Sequence, residues 1–221
     1  MDISTQALNL AKRNLQHLAS TGYLPPNPSL HFLHADILAP DTSSNKKSNN
    51  PPSLASALRN YSSTSPYPHS SHWDILISNP PYISPHAFNT TTQRSVKRYE
   101  PRLALVPPAQ TPSSSSSSSI DQGDIFYPRL LEIAAEIKAK IVLFEVADLE
   151  QAKRVAGMAR KQGVWDGVEI WRDWPGEDDD DDDGAESGDM AAMEDAKIRG
   201  TGNGRSVFAY RGDARDWLGI E

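Results

Sequence analysis

Two short apolar runs limit the fold of this chain more than any other feature. Residues 73–78 read "WDILIS" and residues 140–146 read "KIVLFEV". Near-continuous apolar runs of this length mark strands buried on both faces of a parallel sheet, because a strand with one face in water alternates apolar and polar residues. From about Asp124, Phe126, Leu130, Leu131, Ala134 and Ile137 recur at helical spacing, so a helix is expected between the two strands. Upstream, Ser4 or Thr5 can cap a helix whose inner stripe is Leu8, Ala11, Leu15 and Leu18. Residues 29–36 ("SLHFLHAD") read as a short strand ending at Asp36, and residues 149–163 as an amphipathic helix closing near Gly163. Residues 167–174 and 205–211 read as two last strands with no helix between them, hence an antiparallel pair. The pattern predicts an α/β doubly wound sheet, in which ligands sit at the carboxyl ends of the strands.

Three stretches offer little to such a sheet. Residues 41–72 are rich in Ser, Asn and Pro, residues 107–122 hold a serine run, and residues 175–203 carry "EDDDDDD" from Glu177 to Asp183. Segments of this kind cannot bury enough apolar surface to offset about 1–2 kcal/mol of backbone ordering per residue. They are expected to be disordered inserts in one domain spanning 1–221, with "GTGNG" at 200–204 a flexible connector. The acidic tract also explains the net charge of -7: without its seven acids, 22 acidic residues face 22 basic ones. A balanced chain gives no electrostatic ground for direct nucleic-acid binding. There are no cysteines, hence no disulfide, thiolate metal site or cysteine nucleophile. No apolar run reaches the roughly 18 residues that span a bilayer, and the first residues carry no secretory or arginine-rich leader pattern.

Three polar residues fall at the predicted carboxyl edge: Asp2 ahead of the first helix, Asp36 after the second strand, and Asn79 after the third. A carboxylate between strand and helix can accept from both ribose hydroxyls, although Asp2 read alone is also a frayed terminal residue and Asp36 a turn former. The run Asn79-Pro80-Pro81-Tyr82 is more constraining. The prolines fix φ and remove two donors, and a residue before proline is held extended. The Asn79 side-chain oxygen and a proline carbonyl then form a rigid acceptor pair, suited to a planar NH2 group with two hydrogens to give. Tyr82 can lay its ring over the flat group that bears this nitrogen. The plain alternative is a proline-stiffened turn.

"DILISNPPYIS" followed by "VKRYEPRLAL" resembles the HemK-type (PrmC-type) protein-glutamine N5-methyltransferases, which methylate the Gly-Gly-Gln glutamine of peptide-chain release factors with S-adenosylmethionine. The likeness extends to "MDISTQALNLAKRN", "FLHADIL", "IFYPRLLEIA", "VLFEVADLEQAKRV" and the last strands. NPPY alone is shared with amino-methyltransferases of adenine or cytosine; NPPYI with YEPRLAL is more specific. The resemblance implies a Rossmann-like class I methyltransferase sheet with S-adenosyl-L-methionine as cofactor. It implies that Asp2 binds the cofactor ribose and that Asp36 and Ile37 border the adenine. Asn79 and Pro80 would accept the two hydrogens of the substrate amide, with Asn79 also touching the methionine part of the cofactor. Pro81 completes the rigid turn, and Tyr82 would pack on the amide. Tyr99, Glu100 and Arg102 would support the loop, with a plain salt bridge from Arg102 to Glu100 or another acid as the alternative. His86 reads as a solvated loop residue. The implied partner is a release factor, met by a monomer off the membrane. The implied location is mitochondrial, with cytoplasmic as the alternative.

The chain departs from the family pattern ahead of Asp2, where a strand and a D-x-G-x-G-x-G loop are expected and Met1 stands instead. That pattern raises the expectation of an N-terminally truncated sheet lacking its first strand and glycine-rich loop, in which the 73–78 strand faces a gap and exposes unpaired edge groups, with weak or absent cofactor binding. It leaves open a nucleic-acid amino-methyltransferase or an inactive remnant as alternatives.

Overall fold

The computed structural model describes residues 1–24, 30–41, 50–64, 73–109, 121–177 and 196–219. They fall into two compact units, Met1–Ser70 and Ser71–Glu221.

In the first unit, helix α1 (Thr5–Ser20) starts where Ser4 accepts the Ala7 N–H at 3.2 Å, as a serine before an apolar-periodic run predicts. Leu8 is its buried residue, whereas Leu18 is exposed. Residues 29–36 do not form the expected strand. Their described part makes two isolated parallel bridges, Asp2 with His34 and Asp36 with Ser53. Asp2 is tied to both neighbours of His34, its N–H donating to the Leu33 carbonyl and its carbonyl accepting from Ala35. A second correction concerns residues 41–72: helix α2 (Leu54–Thr64) lies where a loop is expected. Ser53 begins it, its hydroxyl accepting from the Ser56 N–H and its carbonyl from Ala57, with Ala57 buried. A good cap and a few apolar positions outweigh the serine-rich composition.

The second unit is built on a five-stranded mixed sheet. Its elements are β1 (Ile75–Ser78), α3 (Pro85–Thr90), α4 (Arg94–Tyr99), α5 (Arg102–Leu105), a 3-10 turn (Gln122–Asp124), α6 (Phe126–Glu136), β2 (Ile141–Glu145), α7 (Leu149–Gln162), β3 (Gly167–Trp174), β4 (Lys197–Arg199), β5 (Thr201–Tyr210) and α8 (Ala214–Leu218). The strand order is β1-β2-β5-β3-β4. β1 and β2 run parallel, and β5 lies antiparallel between β2 and β3, matching the expected terminal pair. With helices α6 and α7 packed together and α7 against β3 and β5, this is a Rossmann-like α/β sheet.

Register places Val142 and Phe144 of β2 beside Ala209 and Val207 of β5, which pair with Val168 and Ile170 of β3. All six are buried, together with Val155, Ala156 and Ala159 of α7 and Leu130, Leu131 and Ala134 of α6. Each large apolar side chain so buried contributes about 1.5–3 kcal/mol. Asp148 caps α7 by accepting from the Gln151 N–H at 2.8 Å, and Gly163 closes it in the left-handed conformation at φ 68°. On the opposite face Trp171 stacks on Phe208 with centroids 4.3 Å apart.

Two expectations fail here. β1 is not buried on both faces: among the described residues it is an edge strand with one strand neighbour, and Ile75 and Ile77 are 51% and 69% exposed. The glycines at 200–204 are not a loose connector. Gly200 turns the chain across the end of β3, at φ +80° and with no space for a Cβ against the Trp174 carbonyl, and β5 begins at Thr201. Glycine is used there because a left-handed turn is needed at a close backbone approach. The other parts of the expected inserts, 42–49, 65–72, 110–120 and 178–195, lie outside the described residues.

Candidate active site

The carboxyl end of β1 delivers Asn79 directly into Pro80 and Pro81. Pro80 is buried and Asn79 exposed. The Asn79 side chain makes no hydrogen bond among the described residues, so its amide oxygen is free to accept. The loop ends cleanly because Ser84 caps α3, accepting the Ala87 N–H at 3.1 Å, with Pro85 in the first turn.

Tyr82 is fixed at both ends. Its hydroxyl donates to Glu145 Oε1 at 2.8 Å. Its carbonyl accepts from Gln151 Nε2 at 3.3 Å. Burial pushes the phenol up to about 12, helped by the hydrogen bond to the Glu145 carboxylate; Arg205 acts in the opposite sense and Glu100 in the same sense. The phenol is therefore neutral across the physiological range. Glu145 ends β2, the neighbour of β1, so the sheet register brings the two carboxyl ends together.

Gln151 is 3% exposed and joins three segments. Its side-chain oxygen accepts the Ala147 N–H at 2.7 Å, and its nitrogen donates to Asp124 Oδ1 at 2.8 Å as well as to Tyr82. Asp124, 1% exposed, also holds Arg154 through Nε at 2.6 Å and an Nη at 3.0 Å. A buried carboxylate requires such pairing. Gly123 lies so close that a Cβ would sit 2.7 Å from the Tyr82 carbonyl oxygen. Tyr127, fully buried, donates to the Glu145 carbonyl at 2.8 Å, and burial raises its pKa.

The "YEPRLAL" segment reaches this loop through its backbone, the Ile83 N–H donating to the Leu105 carbonyl at 2.9 Å. Tyr99 is 76% exposed. Arg102 lies over the Phe88 ring at 4.7 Å and makes no ion pair with Glu100 among the described residues. His86 is exposed, on α3. Beside Glu145, a cavity of about 540 Å³ is lined by Ala147, Asp148, Arg172, Asn203, Gly204 and Arg205. Arg205 is anchored by Asp173 at 2.6 Å.

Asp2 and Asp36 lie in the first unit. Asp2 Oδ1 accepts the Ser4 N–H at 2.7 Å, and Asp36 Oδ1 accepts the Leu38 N–H at 2.9 Å. The bridges around His34 bring the two acids onto one short stretch, with Ile37 next to Asp36 and partly buried. In each carboxylate one oxygen orders the local backbone and the other makes no hydrogen bond among the described residues. That acceptor set fits hydroxyl donors such as those of a ribose. Gly22, the single glycine of residues 1–70, follows α1 with open space around it.

Sequence reasoning missed Glu145, Gln151, Asp124 and Arg205. The available signal was Glu145 itself, an acid ending an apolar strand at the same edge as Asn79.

No family model and no solved structure matches the chain. Three curated proteins do. A release factor glutamine methyltransferase of Chlorobaculum tepidum is 36% identical over 108 residues, 48% of this chain and 26% of the relative. The "Probable MRF1 mitochondrial N(5)-glutamine methyltransferase mtq1" of Schizosaccharomyces pombe is 28% identical over 160 residues, 72% of this chain and 42% of the relative. The mitochondrial MRF1 N(5)-glutamine methyltransferase MTQ1 of Saccharomyces cerevisiae is 61% identical over 36 residues, 16% of this chain and 12% of the relative. The matched regions cover less than half of each relative's length. On these matches, the chain is similar to the glutamine N5-methyltransferases of release factors.

Proposed function

We propose that this chain methylates the side-chain amide nitrogen of a release-factor glutamine, using S-adenosyl-L-methionine. The carrying observation is the Asn79–Tyr82 loop: an unspent amide acceptor at a strand's carboxyl end, on a loop locked through both ends of Tyr82.

An amide nitrogen is a poor nucleophile because its lone pair is delocalised into the carbonyl. Asn79 Oδ1 and the Pro80 carbonyl would each accept one N–H of the substrate. That grip orients the nitrogen with its lone-pair axis toward the incoming carbon, and orientation supplies much of the acceleration. The cofactor supplies an electrophilic methyl group on a sulfonium sulfur. Pro80 and Pro81 keep both acceptors in place, and the Tyr82 ring would cover the amide plane. No general base is needed, because the proton becomes acidic once nitrogen is alkylated. Within the first unit, Asp2 would accept from the ribose hydroxyls, with Asp36 and Ile37 against the adenine.

The substrate is inferred from the relatives' names together with the YEPRLAL segment pinned to the loop through Leu105. Location in the mitochondrion is inferred from the two fungal relatives, and a monomer is expected. Supplying methyl-labelled cofactor to the chain with a release factor, and separately with DNA, tests the reading. Label in the protein is expected; label in DNA alone would instead assign an adenine or cytosine amino group as the acceptor.

A further inference from the structure

We propose that Glu145 and Gln151 are positioning residues of this site, which hold Tyr82 from its two ends and so set the height and tilt of the Asn79–Tyr82 loop. The proposal rests on the methyltransferase reading and assigns these residues a purpose within it.

Prolines stiffen the loop internally, but they do not fix it relative to the rest of the sheet. Among the described residues β1 is an edge strand with one strand neighbour. The anchorage seen within this unit comes from β2 and α7. Glu145, at the carboxyl end of β2, takes the phenol proton of Tyr82 at 2.8 Å. With that proton committed, the ring cannot swing about its bond to the backbone without breaking a charge-assisted hydrogen bond. Gln151, in the first turn of α7, takes the other end through the Tyr82 carbonyl, and its own amide is held by Ala147 and Asp124. Asp124 is in turn held by Arg154, so the Gln151 carboxamide cannot rotate freely. Gly123 closes the same contact from below, where any side chain would displace the Tyr82 carbonyl. The charged groups facing Tyr82 are Glu145, Arg205 and Glu100. Of these, Glu145 alone hydrogen-bonds to it. A misplacement of about 1 Å at a reacting group costs roughly a hundredfold in rate, which is the scale these contacts guard.

The test uses the whole chain with Glu145→Ala, Glu145→Gln and Gln151→Glu. Glutamine at 145 keeps an acceptor for the phenol, and alanine does not. Glutamate at 151 keeps the acceptor for Ala147 but loses the donor for Tyr82. Tyr82 is read from the tyrosinate absorbance that disappears in Tyr82→Phe. In Glu145→Ala its titration is expected to fall below about 12, while burial, the larger cause, keeps it above the ordinary value of about 10. kcat is expected to fall about 10- to 100-fold with the KM for cofactor unchanged, and Glu145→Gln to restore kcat to within about threefold of the parent. Gln151→Glu is expected to lower kcat about tenfold or more. An unchanged Tyr82 titration in Glu145→Ala, or a parent-like kcat in both Glu145→Ala and Gln151→Glu, overturns the proposal. A parent chain that transfers no methyl group overturns the methyltransferase reading and the purpose assigned to these residues. The Tyr82 titration decides separately whether Glu145 holds the ring.

Discussion

Asn79 and Tyr82 divide the labour of the candidate site between an unspent acceptor and an anchored ring. Asn79 is exposed, so Asn79→Ala removes one of the two proposed substrate acceptors without disturbing a buried contact. A loss of about 100-fold or more in methyl transfer is expected, by analogy with removing one positioned hydrogen-bonding group from an active site, with the melting temperature unchanged. Comparing transfer rates and thermal melts of the two proteins checks both halves of that statement. Tyr82→Phe keeps the ring and deletes the bond to Glu145. It should cost about 1.5–3 kcal/mol of stability, the range for a hydrogen bond to a charged group, measurable by urea titration. The sequence disclosed the acceptor and the ring because both lie in one contiguous motif. It did not disclose Glu145, Gln151 or Asp124, because their contacts to Tyr82 and to each other span 63, 69 and 27 residues. The pairing of β1 with β2 brings Tyr82 to Glu145, and the packing of α6 on α7 brings Asp124 to Gln151.

At the scale of elements, the crossings and caps carry the constraints. Gly123→Ala places a Cβ 2.7 Å from the Tyr82 carbonyl, whose position the Gln151 side chain also fixes. Overpacking of this kind costs about 1–3 kcal/mol and should lower transfer along with stability. Gly200→Ala combines φ +80° with a backbone clash at Trp174. It should destabilise the β3–β5 pairing by more than the roughly 1 kcal/mol of an ordinary glycine replacement. Hydrogen exchange of the β5 amides checks this, faster exchange in the variant being the expected outcome. Long periodic elements were legible: α1, α6, α7, β2 and β3 lie where the apolar spacing puts them. Those missed have physical reasons. α2 arises from the Ser53 cap and the buried Ala57 within serine-rich sequence. The strand expected at 29–36 reduces to bridges at His34 and Asp36. The glycines of 200–204 looked like a linker because composition does not distinguish a flexible glycine from one required by a crossing backbone.

Across the whole molecule, charge sets two limits on stability. The Tyr82 phenol is raised by burial and Glu145, and that of Tyr127 is raised by burial. Their stabilising share is complete below the ordinary phenol value of about 10 and is lost as pH climbs through the raised values. At the acid end, burial works against the Glu169 charge, but Arg199 and Trp171 hold it below its ordinary range. Asp173 is held low by the Asn203 N–H and Arg205. Their share is present above the ordinary carboxylate range of about 4 and is lost as pH falls through the lowered values. Thermal melts across pH should therefore show a plateau from about 5 to 9, declining on both sides; a maximum above pH 11 would contradict this. Fold class was legible at this scale because the two apolar strands and the helix between them admit few topologies. The unpaired edge of β1 was expected, but its exposed Ile75 and Ile77 were not, because a run of apolar residues reports what can be buried rather than what covers it.

The central claim concerns one nitrogen atom. The direct measurement is the fragment mass spectrum of a release factor after incubation with the chain and S-adenosyl-L-methionine, with Asn79→Ala in parallel. One added methyl group on the glutamine side chain of the Gly-Gly-Gln segment, sharply reduced with Asn79→Ala, is the predicted result. An unmodified glutamine, or a methyl group deposited equally well by the Asn79→Ala protein, would contradict the account.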